Sequence, residues 1–220
     1  MVALFVIITF AIMLLVDHLI LRQPIVVAEE NPAADAKRPR SLPAFVSGFD
    51  VPENVSYHPG HMWALAETPE LVRIGADDFA AKIAGKVDRI DLPTRGQWIR
   101  QGQKVITMQR GGRTIDLVSP IEGEIVDVNT DAANTMATAP YGAGWLLKVN
   151  SPDAKINFRN LLTGKLARRW MEDAATRLRA MMPAPAGAYA QDGGVAAGDL
   201  ITQISDEAWP KVSREFFLNA

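Results

Sequence analysis

The sequence predicts a mainly β protein: a small β sandwich with a transmembrane helix at its N-terminus and amphipathic helices at its C-terminus. Three observations predict it. The first is a predominantly apolar run from Val2 to Leu21. The second is a series of short apolar segments, punctuated by Gly and Pro, between His61 and Val149, which is the pattern of many short strands. The third is a set of apolar residues at i, i+4 spacing beyond Leu161, the mark of a helix with one buried face. They divide the 220 residues into a membrane helix at 1–22, an extended Pro-rich linker at 23–53, a β domain at 54–152 and a helical extension at 153–220.

The run VALFVIITFAIMLLVDHLIL is about 20 residues long, enough for a helix to cross a hydrocarbon core of about 30 Å. A cleaved signal peptide is disfavoured, because no Lys or Arg precedes the run and the run is long for such a peptide. Arg22, Lys37, Arg38 and Arg40 follow it. Positive charge favours the cytoplasmic side. The expected topology is N-terminus outside and main domain cytoplasmic, at the inner membrane. Asp17 and His18 are the ionisable side chains inside the run. Together with Arg22 they read as membrane-interface residues, since they sit near the helix end. The sharper reading makes His18 a ligand to a pigment or haem, or a partner to another helix.

Pro24, Pro32, Pro39, Pro43 and Pro52 punctuate the linker, and repeated proline blocks helix and central strand alike. Phe45, Val46 and Phe49 are apolar for a solvated tether. Docking on a partner and packing on the chain's own domain are both open for them.

Within the β domain, Val72 to Gly75 reads as a strand, and Asp77 to Ala84 as a short helix begun by an acid and ended by Gly85. Lys86 to Leu92 alternates polar and apolar residues until Pro93 stops it. Lys104–Met108 and Thr114–Val118 flank Arg110-Gly111-Gly112-Arg113. Two strands around Gly-Gly predict a hairpin with a type I′ turn, whose central residues both need positive φ. Gly123–Asn129 and Trp145–Val149 complete the set.

Composition limits the function. A net charge of −2 gives no field suited to nucleic acid. The absence of cysteine excludes disulfides, thiolate catalysis and thiolate metal sites. Besides His18, the only histidines are His58 and His61, too few ligands for a metal centre. No phosphate loop, nucleophile elbow or zinc spacing is present. The chain therefore reads as a non-enzyme with no cofactor, no metal and no small-molecule substrate.

Several segments, in order, resemble the H protein of the glycine cleavage system. His61-Met62-Trp63 is similar to a His-x-Trp strand of that family, and Ile74-Gly75 with Asp78-Phe79-Ala80 to its Ile-Gly…Phe-Ala helix start. Leu92-Pro93, Gly96 and Gly102 follow its Leu-Pro…Gly…Gly segment. Ser119-Pro120 through Asn129 resembles its Ser-Pro-x-x-Gly strand, and Pro140-Tyr141-Gly142-Ala143-Gly144-Trp145-Leu146 its Pro-Tyr-Gly-x-Gly-Trp-Leu ending. The resemblance implies the lipoyl-like (hammerhead) β sandwich, with lipoate carried on a lysine at a hairpin tip.

That lysine is missing. Counting back from Ser119-Pro120, the family's lipoyl position falls on Gly112, and a gap shifts it only to Arg110 or Arg113. No lysine lies between Lys104 and Lys148. Lipoylation needs an amine that can be acylated, and a guanidinium stays protonated. The acidic residue that precedes the family's lysine is Gln109 here. The tip itself has two readings: a turn with solubilising arginines, or a docking point where Arg110 and Arg113 meet carboxylates or lipid phosphates.

Residues beyond Asp153 are expected to exceed the family's core. Leu162, Leu166, Trp170, Ala174, Leu178 and Met181 predict the buried stripe of an amphipathic helix over 161–182. Asp206 to Leu218 predicts a last short helix presenting Trp209, Val212, Phe216 and Phe217. These helices either cover the chain's own sandwich or grip another protein. Trp170, Trp209, Phe216 and Phe217 are then the partner-binding candidates, with Arg110 and Arg113, because Trp, Phe and Arg anchor interfaces.

The expected function is that of a non-catalytic, single-pass accessory subunit. It would stabilise a larger membrane complex of respiratory or photosynthetic type, with the bilayer and an integral-membrane protein complex as partners. The alternative is a membrane-tethered, carrier-derived adaptor of lipoate-dependent one-carbon or sulfur metabolism.

Overall fold

The computed structural model describes residues 45–182 and 199–217. The apolar run at 2–21, with Asp17, His18 and Arg22, and most of the Pro-rich stretch lie outside the described residues. Among the described residues no helix is long and apolar enough to cross a membrane.

Among the described residues eleven strands form three antiparallel sheets. A hairpin joins β1 (Phe45–Val46) and β2 (Phe49–Asp50). The large sheet has the order β3-β4-β5-β11-β10-β7. Its strands are β3 (Ser56–His58), β4 (Met62–Ala66), β5 (Leu71–Ala76), β7 (Trp98–Ile99), β10 (Gly123–Val128) and β11 (Leu147–Asn150). The third sheet pairs β6 (Arg89–Asp91), β8 (Lys104–Arg110) and β9 (Arg113–Val118) in the order β6-β8-β9. The β-rich architecture read from the sequence is therefore present. The alternating segment at 86–92 pairs with β8 only over Arg89–Asp91.

The inner faces of these strands supply Trp63, Ile74, Ile106, Met108, Leu117, Ile125 and Val149, all buried. Trp63 fixes the centre. Its indole N–H donates to the carbonyls of Ala76, at 2.9 Å, and Pro140, at 3.2 Å, so its polar edge is satisfied where it is buried. Gly75 lies against that ring. A Cβ there would come within 2.7 Å of it, so a strand residue with no side chain is what lets the indole lie flat on the backbone.

Helix α1 (Asp78–Ala84) begins as expected: the Asp77 carboxylate accepts the Ala80 N–H at 2.8 Å, an N-cap that satisfies one of the helix's unpaired donors. The other Asp77 oxygen lies 2.8 Å from His61 Nδ1, and both side chains are buried. His61 stacks on Phe79 with ring centroids 4.0 Å apart. His58 Nδ1 accepts the Gly60 N–H at 3.1 Å. The two histidines are thus engaged in structure.

The linker ends earlier than position 53. Val46, Phe49 and Val51 are buried in the core, so the β1–β2 hairpin belongs to the domain. Polar contacts pin it to α1 and to the turn before β11: the Asp50 N–H donates to Asp78 at 2.7 Å, Lys82 Nζ donates to the Gly48 carbonyl at 3.0 Å, and, from that turn, the Tyr141 hydroxyl donates to the Asp50 carbonyl at 2.8 Å.

Two short helices, α2 (Ala132–Thr135) and α3 (Ala154–Phe158), lead to the long helix α4 (Gly164–Met181). Its buried face matches the expected stripe only in part. Ala167, Met171, Ala174, Ala175 and Leu178 are buried, whereas Leu166 is 60% exposed. Ala174 and Leu178 belong to the expected stripe as well, so the observed face is turned from it by roughly 70°, less than one residue's step about the axis. Alanines let the helix approach the core closely, and Met171 fills the remaining gap. A 3-10 turn at Leu200–Thr202 and helix α5 (Trp209–Phe217) complete the described chain.

Candidate functional site

The β8–β9 hairpin is the feature on which function turns. Gly111 and Gly112 have φ of 55° and 81°, so both central residues occupy the left-handed region that a type I′ turn demands. Neither has any atom near the place a Cβ would take. Their identity is set by backbone conformation and not by crowding.

Each arginine beside the turn is engaged within the chain. Arg110 Nη2 donates to Asp199 Oδ2 at 2.8 Å and its Nε to Oδ1 at 3.3 Å. Asp88 takes a weaker share, 3.4 Å from Arg110 Nη1, while its other oxygen accepts the Gly111 N–H at 2.8 Å. The hydrogen bond to Asp199 is the first cause raising the Arg110 pKa above its ordinary value. Arg113 donates to the Ile201 carbonyl and to Asp206, and its guanidinium lies 5.6 Å from the ring centre of Trp209. Residues 199–209 therefore close over the hairpin tip from the other end of the sequence.

The clamp has its own fitted seat. Asp199 has φ of 63°, a conformation that Asp tolerates better than most residues. It presses on Gly85, the residue that ends α1 with φ of 60°, where a Cβ would lie 2.6 Å from the Asp199 Cα. Gly85 thus serves both the helix terminus and the docking of the clamp.

The other sequence-derived candidates fall apart in space and role. Phe216 and Phe217 are buried in the chain's own core, so a partner cannot reach them. Phe216 packs on Phe79 with ring centroids 5.1 Å apart, and the apolar face of α5 is spent on the body of the domain. Trp170 is half-buried, with its ring centre 4.6 Å from that of His61 and 6.1 Å from that of Tyr57. Trp209 is half-buried against Arg113. Sequence reasoning missed Asp88 and Asp199 as functional partners of the tip. The available signal was slight: an aspartate directly after Gly198, in a position suited to left-handed backbone.

The lipoyl group that the resemblance implies does not fit this tip. Gly112 has no side chain, both arginines are committed to carboxylates, and Gln109 donates to Asp91 at 3.1 Å. The amine of Lys104 pairs with Asp116 at the opposite end of the hairpin. Among the described residues, no group of three or more His, Cys, Asp or Glu could hold a metal ion.

Comparison with known proteins places the fold. The family model for the glycine cleavage H-protein matches residues 55–174. The probable glycine cleavage system H protein 2 of Sulfurisphaera tokodaii is 36% identical over 132 residues, which cover 56% of this chain and 87% of the relative. The glycine cleavage system H protein of Mycobacterium avium is 33% identical over 108 residues, covering 48% and 82%. The crystal structure of a glycine cleavage system H protein from Mycobacterium marinum covers 53% of this chain and 95% of its own, with 33% identity and a TM-score of 0.47. The family match reaches into α4, so residues 153–174 belong to the shared region and are not an addition to it.

Proposed function

The chain belongs to the glycine cleavage H-protein family, and we propose that it is a non-catalytic member that has exchanged carriage for support. In this reading the apolar run at 2–21 holds it in a membrane, and the H-protein-like body braces a larger complex of respiratory or photosynthetic type. The observation that carries the reading is the hairpin tip. A carrier needs an exposed amine there, free to present its group to successive partners. This tip offers Gly112 between two arginines that are already tied to Asp88, Asp199 and Asp206.

Gentle detergent extraction, size separation and mass spectrometry test it. The expected result is a stoichiometric set of integral-membrane proteins migrating with a chain whose intact mass equals the bare polypeptide. A covalent group on any lysine would overturn it. A second reading, a carrier-derived adaptor of lipoate-dependent one-carbon or sulfur metabolism, draws support from a family match that spans most of the β body. Recovery with lipoate-handling enzymes and an unmodified mass would favour that reading.

A further inference from the structure

Residues 154–169 contain Lys155, Arg159, Lys165, Arg168 and Arg169 and no Asp or Glu. The whole chain is net negative, at −2. This stretch therefore opposes the average of the molecule. It forms α3, the turn after it and the first turns of α4. Lys155, Arg159, Lys165 and Arg169 are exposed. Among the described residues no carboxylate pairs with any of the four, and Arg168 reaches only Glu53, at 3.5 Å. Elsewhere on the body Arg73, Lys82, Arg110, Arg113 and Arg177 have acidic partners. The basic groups there that form no ion pair among the described residues include Lys86, Arg95, Arg100 and Lys148, which stand apart in sequence, with acids between Lys86 and Arg95 and between Arg100 and Lys148.

Apolar side chains stand exposed among these charges. Ile156 is 57% exposed and Leu166 60%. Two large aliphatic groups set among unpaired cations match the composition of a surface that enters the headgroup region of an anionic bilayer. The cations attract the phosphates and the apolar groups sink between them. An acidic protein would also attract the charges, but it gives less reason for isolated Ile and Leu at the same place.

We infer that residues 154–169 are a docking face for an anionic lipid surface. The inference rests on the membrane-held reading above and adds which face of the body meets the lipid. Residues 22–44 separate the apolar run from β1, and a chain of that length spans at most about 80 Å. A body held so close binds a surface at high effective concentration, so modest attraction suffices.

The chain has no cysteine, so one introduced thiol labels a single site. Full-length Thr163→Cys, carrying a fluorophore, is mixed with vesicles of phosphatidylcholine alone or with added phosphatidylglycerol, each containing a headgroup quencher. Thr114→Cys, near the hairpin tip, is the control. Quenching at position 163 is expected only with the anionic vesicles. It should fall with salt, and the affinity it reports should drop about a thousandfold in K155E/R159E/K165E/R169E, with the melting temperature showing that this variant remains folded.

Equal quenching on both vesicles overturns the inference, as does none on either, or quenching that survives the charge reversal. Release of the label from lipid by an acidic polypeptide that then holds the face also overturns it, in favour of a protein partner. Flotation separates the two readings. A chain that floats with neutral vesicles but is never quenched at 163 keeps the membrane anchor and loses the face. A chain that floats only with anionic vesicles, and leaves them in salt, keeps the face and loses the anchor.

Discussion

Arg110 and Asp199 meet edge to edge, Nε to Oδ1 at 3.3 Å and Nη2 to Oδ2 at 2.8 Å, across 89 residues of chain. Paired contacts of this geometry set direction as well as distance. They join the tip of a β hairpin to a segment that also touches the body through the Arg113–Asp206 pair, the 3-10 turn and α5. The hairpin and the C-terminal segment thereby act as one unit.

Asp199→Ala leaves Arg110 with Asp88 alone. We expect amide exchange across 200–217 to rise by about tenfold, since the segment then opens without the rest of the fold. Strands β8 and β9 should keep their protection. Unchanged exchange at 200–217 would show that apolar packing of Leu200, Ile201 and α5 holds the segment without the clamp.

Asp77→Ala removes a helix cap and the buried partner of His61 together. The expected cost is about 2–4 kcal/mol, from a lost cap and an imidazole left without its hydrogen bond. Denaturant unfolding measures it. Asp77→Asn should cost less, because it keeps an oxygen for the Ala80 N–H.

Met171→Ala and Leu166→Ser distinguish the two faces of α4. Met171 is fully buried, and its truncation should cost about 2–5 kcal/mol. Leu166 is largely exposed, and its replacement should change stability by no more than about 0.5 kcal/mol. Thermal or denaturant midpoints of the two variants check the order.

Burial first, and then His61, lower the His58 pKa below its ordinary value. The folded protein binds this proton less readily than the unfolded chain does. The His58 contribution to stability is therefore present above about pH 6.5 and is lost as pH falls through the lower folded value. Protonation also takes from Gly60 N–H the lone pair it donates to. His58→Asn supplies an oxygen in place of that nitrogen, and should lose less stability than the native chain between neutral pH and about pH 5.5. Burial raises Asp50 and Asp78, so their contributions run the other way, favouring the fold at low pH and weakening as pH rises. Denaturant midpoints for the native chain and the variant, taken over one pH series, isolate the histidine.

Local chemistry was legible in the sequence where it acts within a few residues. The Gly-Gly turn, the Asp77 cap and the Gly85 stop follow from backbone preferences that neighbours scarcely alter. The face of α4 was less legible. Leu166 and Trp170 dominate any count of apolar bulk, yet the core accepts the closer approach that Ala167, Ala174 and Ala175 permit. Phe45, Val46 and Phe49 left two readings open, because an apolar residue in a Pro-rich stretch does not say which surface it covers. The clamp was barely legible. Asp199 and Asp206 are ordinary acids in the sequence, and only the fold brings them to arginines 89 and 93 residues away.

That separation also sets an order in time. A ribosome adding about 5–20 residues each second needs roughly 4–18 seconds to pass from the hairpin to the segment that closes it. Through that interval Asp88 alone stands beside Arg110, and Arg113 waits for an Asp206 that has yet to be synthesised. Anything that must reach the tip, whether a modifying enzyme or an assembly partner, meets it most openly while the chain is still being made.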